Sequence, residues 1–270
     1  MNVIYHYTTG EGLLGIINSM ELHFTNMNFL NDPTESTWYK QVLEDILSEN
    51  IICKDIYNEL YNESYMNIYI SPTYIASFCK ERDSLSMWKH YSKGNGYNIG
   101  FKIDSFLSNK DIIIEKKEII YDVKKQKKIL TDHILRFGKR IDSVCRFSNN
   151  DSPFSEFDDL QIEFCDKILN YAFQFKHFAY KDEEEIRLII PYIPYGEKVY
   201  ENKYRKYKVS DNGVIVEYTA MKFSAKDIVS ITCHPQSLKE NEMGVRYFIN
   251  NKTNSNEVKV YRSQIPFRNI

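Results

Sequence analysis

The stretch VIYHYTTGEGLLGIINSM, residues 3–20, decides how the rest of the chain is read. β-Branched and aromatic residues from Val3 to Tyr7 predict a strand, and Thr-Thr-Gly then breaks it. Gly10 to Met20 follows as a helix, because Leu13, Ile16, Ile17 and Met20 recur at the 3.6-residue period. A first strand followed at once by a helix does not begin a regular βαβ series here. Helices are expected over Pro33–Asn50 (apolar at Trp38, Val42, Leu43, Ile46 and Leu47), Lys54–Tyr65, Ser84–Tyr91, Lys124–Arg146 and Asp158–Phe175. Strand character is expected in NIYISPTYIASFC and GYNIGFKI, and then in EIRLIIPYI, KYRKYKVS, GVIVEYT, DIVSITCH and EVKVYRS, with one helix near Lys239–Asn250. Helices grouped ahead of strands predict an α+β fold, a single domain over residues 1–270, with a mainly antiparallel sheet flanked by helices.

Composition narrows the class. The chain has 270 residues, enough for a sizeable core, and 14% of them are aromatic, which argues against disorder. A formal charge of −2 gives no global attraction to nucleic acid or anionic lipid. Five cysteines form no CxxC pair, the usage of a reducing compartment. No signal peptide begins the sequence and no apolar run approaches the roughly 18 residues of a membrane span, so a cytoplasmic protein without membrane attachment is expected.

Three stretches carry candidate chemistry. In YKDEEEIRLIIPYI, strand alternation would set Glu183, Glu185 and Arg187 on one face, roughly 6.6 Å apart, and Ile186, Leu188 and Ile190 on the other. That row is either a ligand-facing wall or an acidic strand edge with an ion pair. His6 either hydrogen-bonds a ligand through one ring nitrogen or is a half-buried histidine satisfied by a backbone carbonyl. In SMWKHYSKGNGYNIGF, Met87, Trp88 and Tyr91 sit at helical spacing, so they are either core or the aromatic wall of a pocket. Gly94 and Gly96 allow a sharp bend or close approach but match no phosphate-binding glycine pattern.

Other signals are weak. No metal-ligand spacing is present, and no metal is expected. Cys233 and His234 are adjacent, so on a strand they point to opposite faces and make a poor nucleophile–base pair. The basic residues between Lys116 and Arg146 are interleaved with acids and read as a solvated helix face rather than a nucleic-acid patch.

Taken in order, YHYTT, LNDPTE, SMWKHYSKGNGYNIGF, FKHFAYKDEEEIRLI and VYRSQIPFR resemble a widespread bacterial domain of unknown function, catalogued as number two-nine-seven-one. Tyr180 stands where many members have Trp, and Ile186 where an aromatic is common. More loosely, a strand ending in His-Tyr-Thr before a GLLGIINSMEL-type helix is similar to the start of ADP-ribosyltransferase-like proteins. That similarity implies a split sheet and NAD as substrate. It implies Glu185 and His6 as catalytic residues, Glu185 stabilising positive charge on the ribose and His6 holding ribose or carboxamide. At about 4 Å and an effective dielectric of about 20, such a charge pair is worth roughly 4 kcal/mol, on the order of a thousandfold in rate. Tyr91 or Trp88 would stack on nicotinamide, Arg187 or Thr8 would meet phosphate or ribose, and Tyr7 would complete the binding wall. Glu183 would orient an acceptor, whether protein, nucleic acid or water. A toxin or phage-defence role is the biological setting this similarity suggests. Two other readings stay open: a non-catalytic nucleotide-sensing or protein-binding module, and a metal-dependent nuclease in which Asp32 and Glu35 join the two carboxylates. The oligomeric state is not legible.

Overall fold

The computed structural model describes residues 3–30, 37–70, 73–92, 94–108, 112–147, 156–191, 205–210, 212–253 and 257–266. The LNDPTE motif beyond Leu30, Pro72 and Arg268 lie outside the described residues. In chain order the elements are β1 (Val3–Thr8), α1 (Gly10–Ser19), β2 (Glu21–Asn26), α2 (Trp38–Glu49), α3 (Ile51–Leu60), α4 (Glu63–Ile70), β3 (Tyr74–Cys79), α5 (Leu85–Tyr91), β4 (Tyr97–Lys102), α6 (Ile103–Leu107), β5 (Glu115–Glu118), α7 (Val123–Phe147), α8 (Glu156–Ala172), β6 (Glu185–Ile190), β7 (Lys206–Val209), β8 (Ile215–Lys222), β9 (Ile228–Cys233), α9 (Lys239–Thr253) and β10 (Lys259–Arg262). This is the α+β class that the element pattern predicts.

The strands form one sheet of ten, ordered β10-β9-β4-β1-β3-β2-β8-β7, with β6 on β3 and β5 on β6. Every pairing is antiparallel except β9 with β10. One irregularity positions the site. Along one edge β3 pairs continuously with β6, from Tyr74 to Cys79. Its other edge is shared: β2 takes Tyr74 and Ile75, and β1 takes only Cys79. Between them, Ala76 to Phe78 have no strand partner on that edge, so β1 and β2 diverge and the sheet forks. Ser77, in the gap, is the exposed residue of an otherwise buried strand. The His6 side chain spans this opening, its Nδ1 3.1 Å from the Ser77 carbonyl.

One face of the sheet carries the larger core. Ile4, Phe24, Phe78, Ile99 and Leu188 pack there against Leu13 and Ile17 of α1 and Val245 and Ile249 of α9. Each such buried side chain contributes roughly 1.5–3 kcal/mol of transfer free energy. Thr9 caps α1 by accepting a hydrogen bond from the Gly12 amide at 3.1 Å. Met20 ends the helix in the left-handed region at φ 50°, and the chain enters β2. Gly96 abuts β1 so closely that a Cβ there would lie 2.3 Å from the Thr8 carbonyl oxygen. The close approach that this glycine permits is therefore to backbone.

A second core joins α2, α3, α4, α7 and α8 through residues such as Leu43, Leu60, Leu130, Ile134, Phe164 and Ile168. Three of the basic residues of α7 pair with carboxylates: Lys127 with Asp45 (3.0 Å), Lys128 with Asp132 (2.6 Å) and Arg140 with Glu163 (2.9 Å). The single helix expected over Lys54–Tyr65 is two, because Asn50 caps α3 at Cys53 N and Asn62 accepts from Ser64 N as the chain restarts into α4. α4 runs through Ile70, so NIYI is helical and only the later part of that stretch becomes β3. β2 arises from ELHFTN, which the periodicity did not mark.

His133 on α7 is buried among Phe137, Phe164 and Tyr171. Its Nε2 has no hydrogen-bond partner among the described residues. Burial, aided by Arg136 and Lys167, pushes its pKa down to about 4 despite Glu163. The unfolded chain therefore binds this proton first, near pH 6.5, and stability falls as pH drops from about 6.5 towards 4. The loss from this group is on the order of 3 kcal/mol. Urea melts across that range should show it in the wild type, and a His133→Phe variant should lose this part of the slope.

Candidate functional site

The fork opens into a cavity of about 850 Å³ lined by β1, β2, β3, α1, α5, the 176–185 segment and β7. That is within the range of small-molecule sites. Six of the eight residues singled out from the sequence line it: His6, Tyr7, Thr8, Tyr91, Glu183 and Glu185.

A buried charge network forms its floor. Lys176 donates to Glu183 at 2.7 Å and to Glu185 at 3.0 Å. Arg187 grips Glu185 with two bonds, Nε to Oε1 at 2.8 Å and Nη2 to Oε2 at 3.1 Å, and reaches the Phe173 carbonyl at 3.4 Å. Tyr91 donates its hydroxyl to Glu183 at 2.9 Å, and Lys176 lies over the Tyr180 ring. The ring–ammonium distance is 4.8 Å, a cation–π contact. Burial raises the Glu185 carboxyl pKa, but the Arg187 and Lys176 charges and contacts from Arg187 and Ser77 outweigh it and hold the group below the usual carboxylate range. Glu185 is ionised at neutral pH. Burial and the neighbouring Glu183 push the Tyr91 phenol up, so it remains a donor.

The network is held from behind. Gln126 of α7, fully buried, donates to the carbonyls of Ile120 and Lys176 and accepts from Trp38 Nε1 at 3.1 Å. The Tyr121 hydroxyl accepts from the Glu185 amide at 3.0 Å. Two helices and the connection between β5 and α7 thus fix the backbone at both ends of the network.

Glu183 is not on the strand with Glu185. It ends a 3-10 helix, Phe178–Glu183, and Glu184 follows in the left-handed region at φ 43°. That turn, rather than strand alternation, brings both carboxylates to Lys176. Glu183, Glu185 and Arg187 are all buried, so the row is not an exposed strand edge, and Glu183 and Glu185 face the cavity. Arg187 lies behind Glu185, does not line the cavity, and is committed to Glu185 and the Phe173 carbonyl, so the expected contact with phosphate or ribose is corrected to a positioning role. Trp88 is likewise corrected. It is fully buried, edge-on to Tyr7 at 4.7 Å and to His234 at 5.5 Å, and its indole donates to Asp83 at 2.7 Å. It cannot stack on a ligand. Tyr7 lines the cavity, but its hydroxyl donates to the Glu81 carbonyl and accepts from the Ser84 amide, both at 2.9 Å, anchoring the start of α5.

His6 takes both roles left open by the sequence. Nδ1 must carry the proton, because the Ser77 carbonyl only accepts. Burial, with a contribution from Lys208, lowers its pKa against the raising effect of that hydrogen bond. The ring is therefore neutral at pH 7, and Nε2 is an acceptor. Lys176, the keystone of the network, escaped sequence reasoning, as did Ser77.

Among the described residues no three His, Cys, Asp or Glu side chains converge as a metal site, and no helix is long and apolar enough to cross a membrane. The four described cysteines are free and buried.

Fold and cavity thus define an α+β protein with a forked, mostly antiparallel sheet and an ionised carboxylate at the fork. Residues 87–188 match the family described as protein of unknown function, DUF2971. The segment runs from α5 to β6 and so includes Tyr91, Lys176, Glu183, Glu185 and Arg187. No curated protein and no solved structure matches the chain.

Proposed function

We propose that the chain is an NAD-using enzyme that breaks the nicotinamide–ribose bond, transferring ADP-ribose to an acceptor or to water. The observation that carries this reading is the convergence of His6 from β1, Tyr91 from α5 and an ionised Glu185 from β6 on one cavity at the sheet fork. Positive charge develops on the ribose as nicotinamide leaves with the bonding electron pair, and a fixed carboxylate stabilises that charge more than the ground state. Tyr91 offers a ring face, the neutral His6 an acceptor for a hydroxyl or amide proton, and Thr8 a hydroxyl. Glu183, held by Lys176 and Tyr91, would orient the acceptor, which gives up its proton to solvent as the new bond forms. An enzyme of this kind suits a toxin or phage-defence effector. No comparison links the chain to an ADP-ribosyltransferase, so the reading rests on the site alone.

One observation favours a second reading, a non-catalytic nucleotide-binding module. Lys176 and Arg187 already balance Glu183 and Glu185, so the quartet presents a dipole rather than a net negative charge. The nuclease reading is weaker, because the Lys176 ammonium occupies the space between the two carboxylates where a cation would sit. A thermal-shift assay with NAD, coupled to chromatography for free nicotinamide, separates these readings. Stabilisation with nicotinamide release supports the enzyme, stabilisation without release supports the module, and neither effect would reject both.

A further inference from the structure

The cavity has a second polar region that the nicotinamide-end chemistry leaves unused. β2, β8 and β7 are consecutive in the sheet, and their register sets His23, Tyr218 and Lys208 in a diagonal row, with Thr25 opposite Tyr218, Lys206 opposite Tyr218 and Lys208 opposite Val216. His23 packs on the Tyr218 ring with centroids 4.1 Å apart, and the Lys208 ammonium sits 5.3 Å from the same ring. His6, His23 and Lys208 all line the cavity.

The charge pattern there is unbalanced. Glu183 and Glu185 are paired with Lys176 and Arg187, and Glu21, the nearest acid on β2, is paired with Lys206 at 3.1 Å. Among the described residues no carboxylate pairs with Lys208. Partial desolvation lowers its pKa, and no carboxylate is among the causes. Burial lowers His23 to about 4, with Lys208, Lys206 and His6 adding to the effect against Glu21. At this end of the cavity Lys208 thus disfavours the charged form of both histidines, and His6 adds to the effect on His23. The remaining acid there, Glu11, is on α1.

We propose that Lys208 and His23 form the seat for a phosphate or pyrophosphate group, so that the ligand of the fork is a phosphorylated nucleotide lying between β7 and Glu185. The inference deepens the NAD reading and rests on it for the nucleotide, but the anion seat itself is independently testable. A dianion would supply the countercharge that Lys208 lacks and draw a proton onto His23 as it binds. Lys208 is on an edge strand and exposed, so its replacement leaves the core intact.

The test is isothermal titration of wild type, Lys208→Gln and His23→Gln with inorganic pyrophosphate, ADP-ribose and nicotinamide riboside, which lacks phosphate. Lys252→Gln on α9 is the charge control. The seat predicts that Lys208→Gln weakens pyrophosphate and ADP-ribose at least tenfold and leaves nicotinamide riboside unchanged. It also predicts proton uptake on binding at pH 6, reduced in His23→Gln. Equal affinities of wild type and Lys208→Gln for the phosphorylated probes would overturn it. Tight, Lys208-dependent pyrophosphate binding without NAD cleavage would keep the seat and reject the enzyme. NAD cleavage with a KM unaffected by Lys208→Gln would do the reverse.

Discussion

Replacing Lys176 with methionine is expected to lower the unfolding free energy by about 3–5 kcal/mol, the largest stability effect of any single change in the cavity. Lys176 is buried, and its ammonium is the cation between Glu183 and Glu185. Removing it leaves two carboxylates facing each other, one of them still held ionised by Arg187. Methionine keeps the stem volume, so the loss reports charge rather than packing. Urea denaturation at pH 7 measures it. Adding Glu183→Gln to the Lys176→Met variant should recover part of the loss, since the repulsion goes with the second charge. A loss below about 1 kcal/mol would mean the ion pairs are as weak as exposed ones.

The second large effect is on chemistry. Glu185→Gln retains the size and one accepting oxygen but removes the charge that the ribose would meet. The expected fall in the rate of nicotinamide release is on the order of a thousandfold, with a much smaller change in KM. The same substitution leaves the Arg187 guanidinium without its carboxylate, so folding must be verified by melting. His6→Ala serves as the second variant because His6 lies outside the ion-pair network. It is expected to reduce both binding and rate while leaving the Lys176 pairs in place.

Particular residues show how much of this was legible in the sequence. The Glu185–Arg187 pairing follows from strand alternation, since residues two apart share a face. Ile186, Leu188 and Ile190 lie in the main core as that alternation requires. The apolar stripe of α7 at Leu130, Ile134, Phe137 and Ile141 is likewise buried at the expected period. Lys176 was not legible. A lysine in an irregular segment is by default exposed, and only the left-handed turn at Glu184 and the anchor from Gln126 bring it beneath two carboxylates. Trp88 misled for the opposite reason. Helical spacing marks an aromatic as packed but does not say whether its face borders a cavity or, as here, an Asp83-centred knot that also binds Ser263 at 2.6 Å and the Gln264 amide at 2.9 Å. The fork itself has no local signature, because it comes from where two non-adjacent strands abandon β3. β2 was missed since ELHFTN is short and sits directly against a helix without a glycine or proline between them. Its start depends on Met20 accepting a left-handed conformation.

The most direct test of the central claim is nicotinamide release from saturating NAD, followed for the wild type and for Glu185→Gln at equal folded concentration. An ionised Glu185 at the fork predicts release by the wild type and a rate on the order of a thousandfold lower in the variant. No release by the wild type, or equal rates in the two proteins, would contradict it.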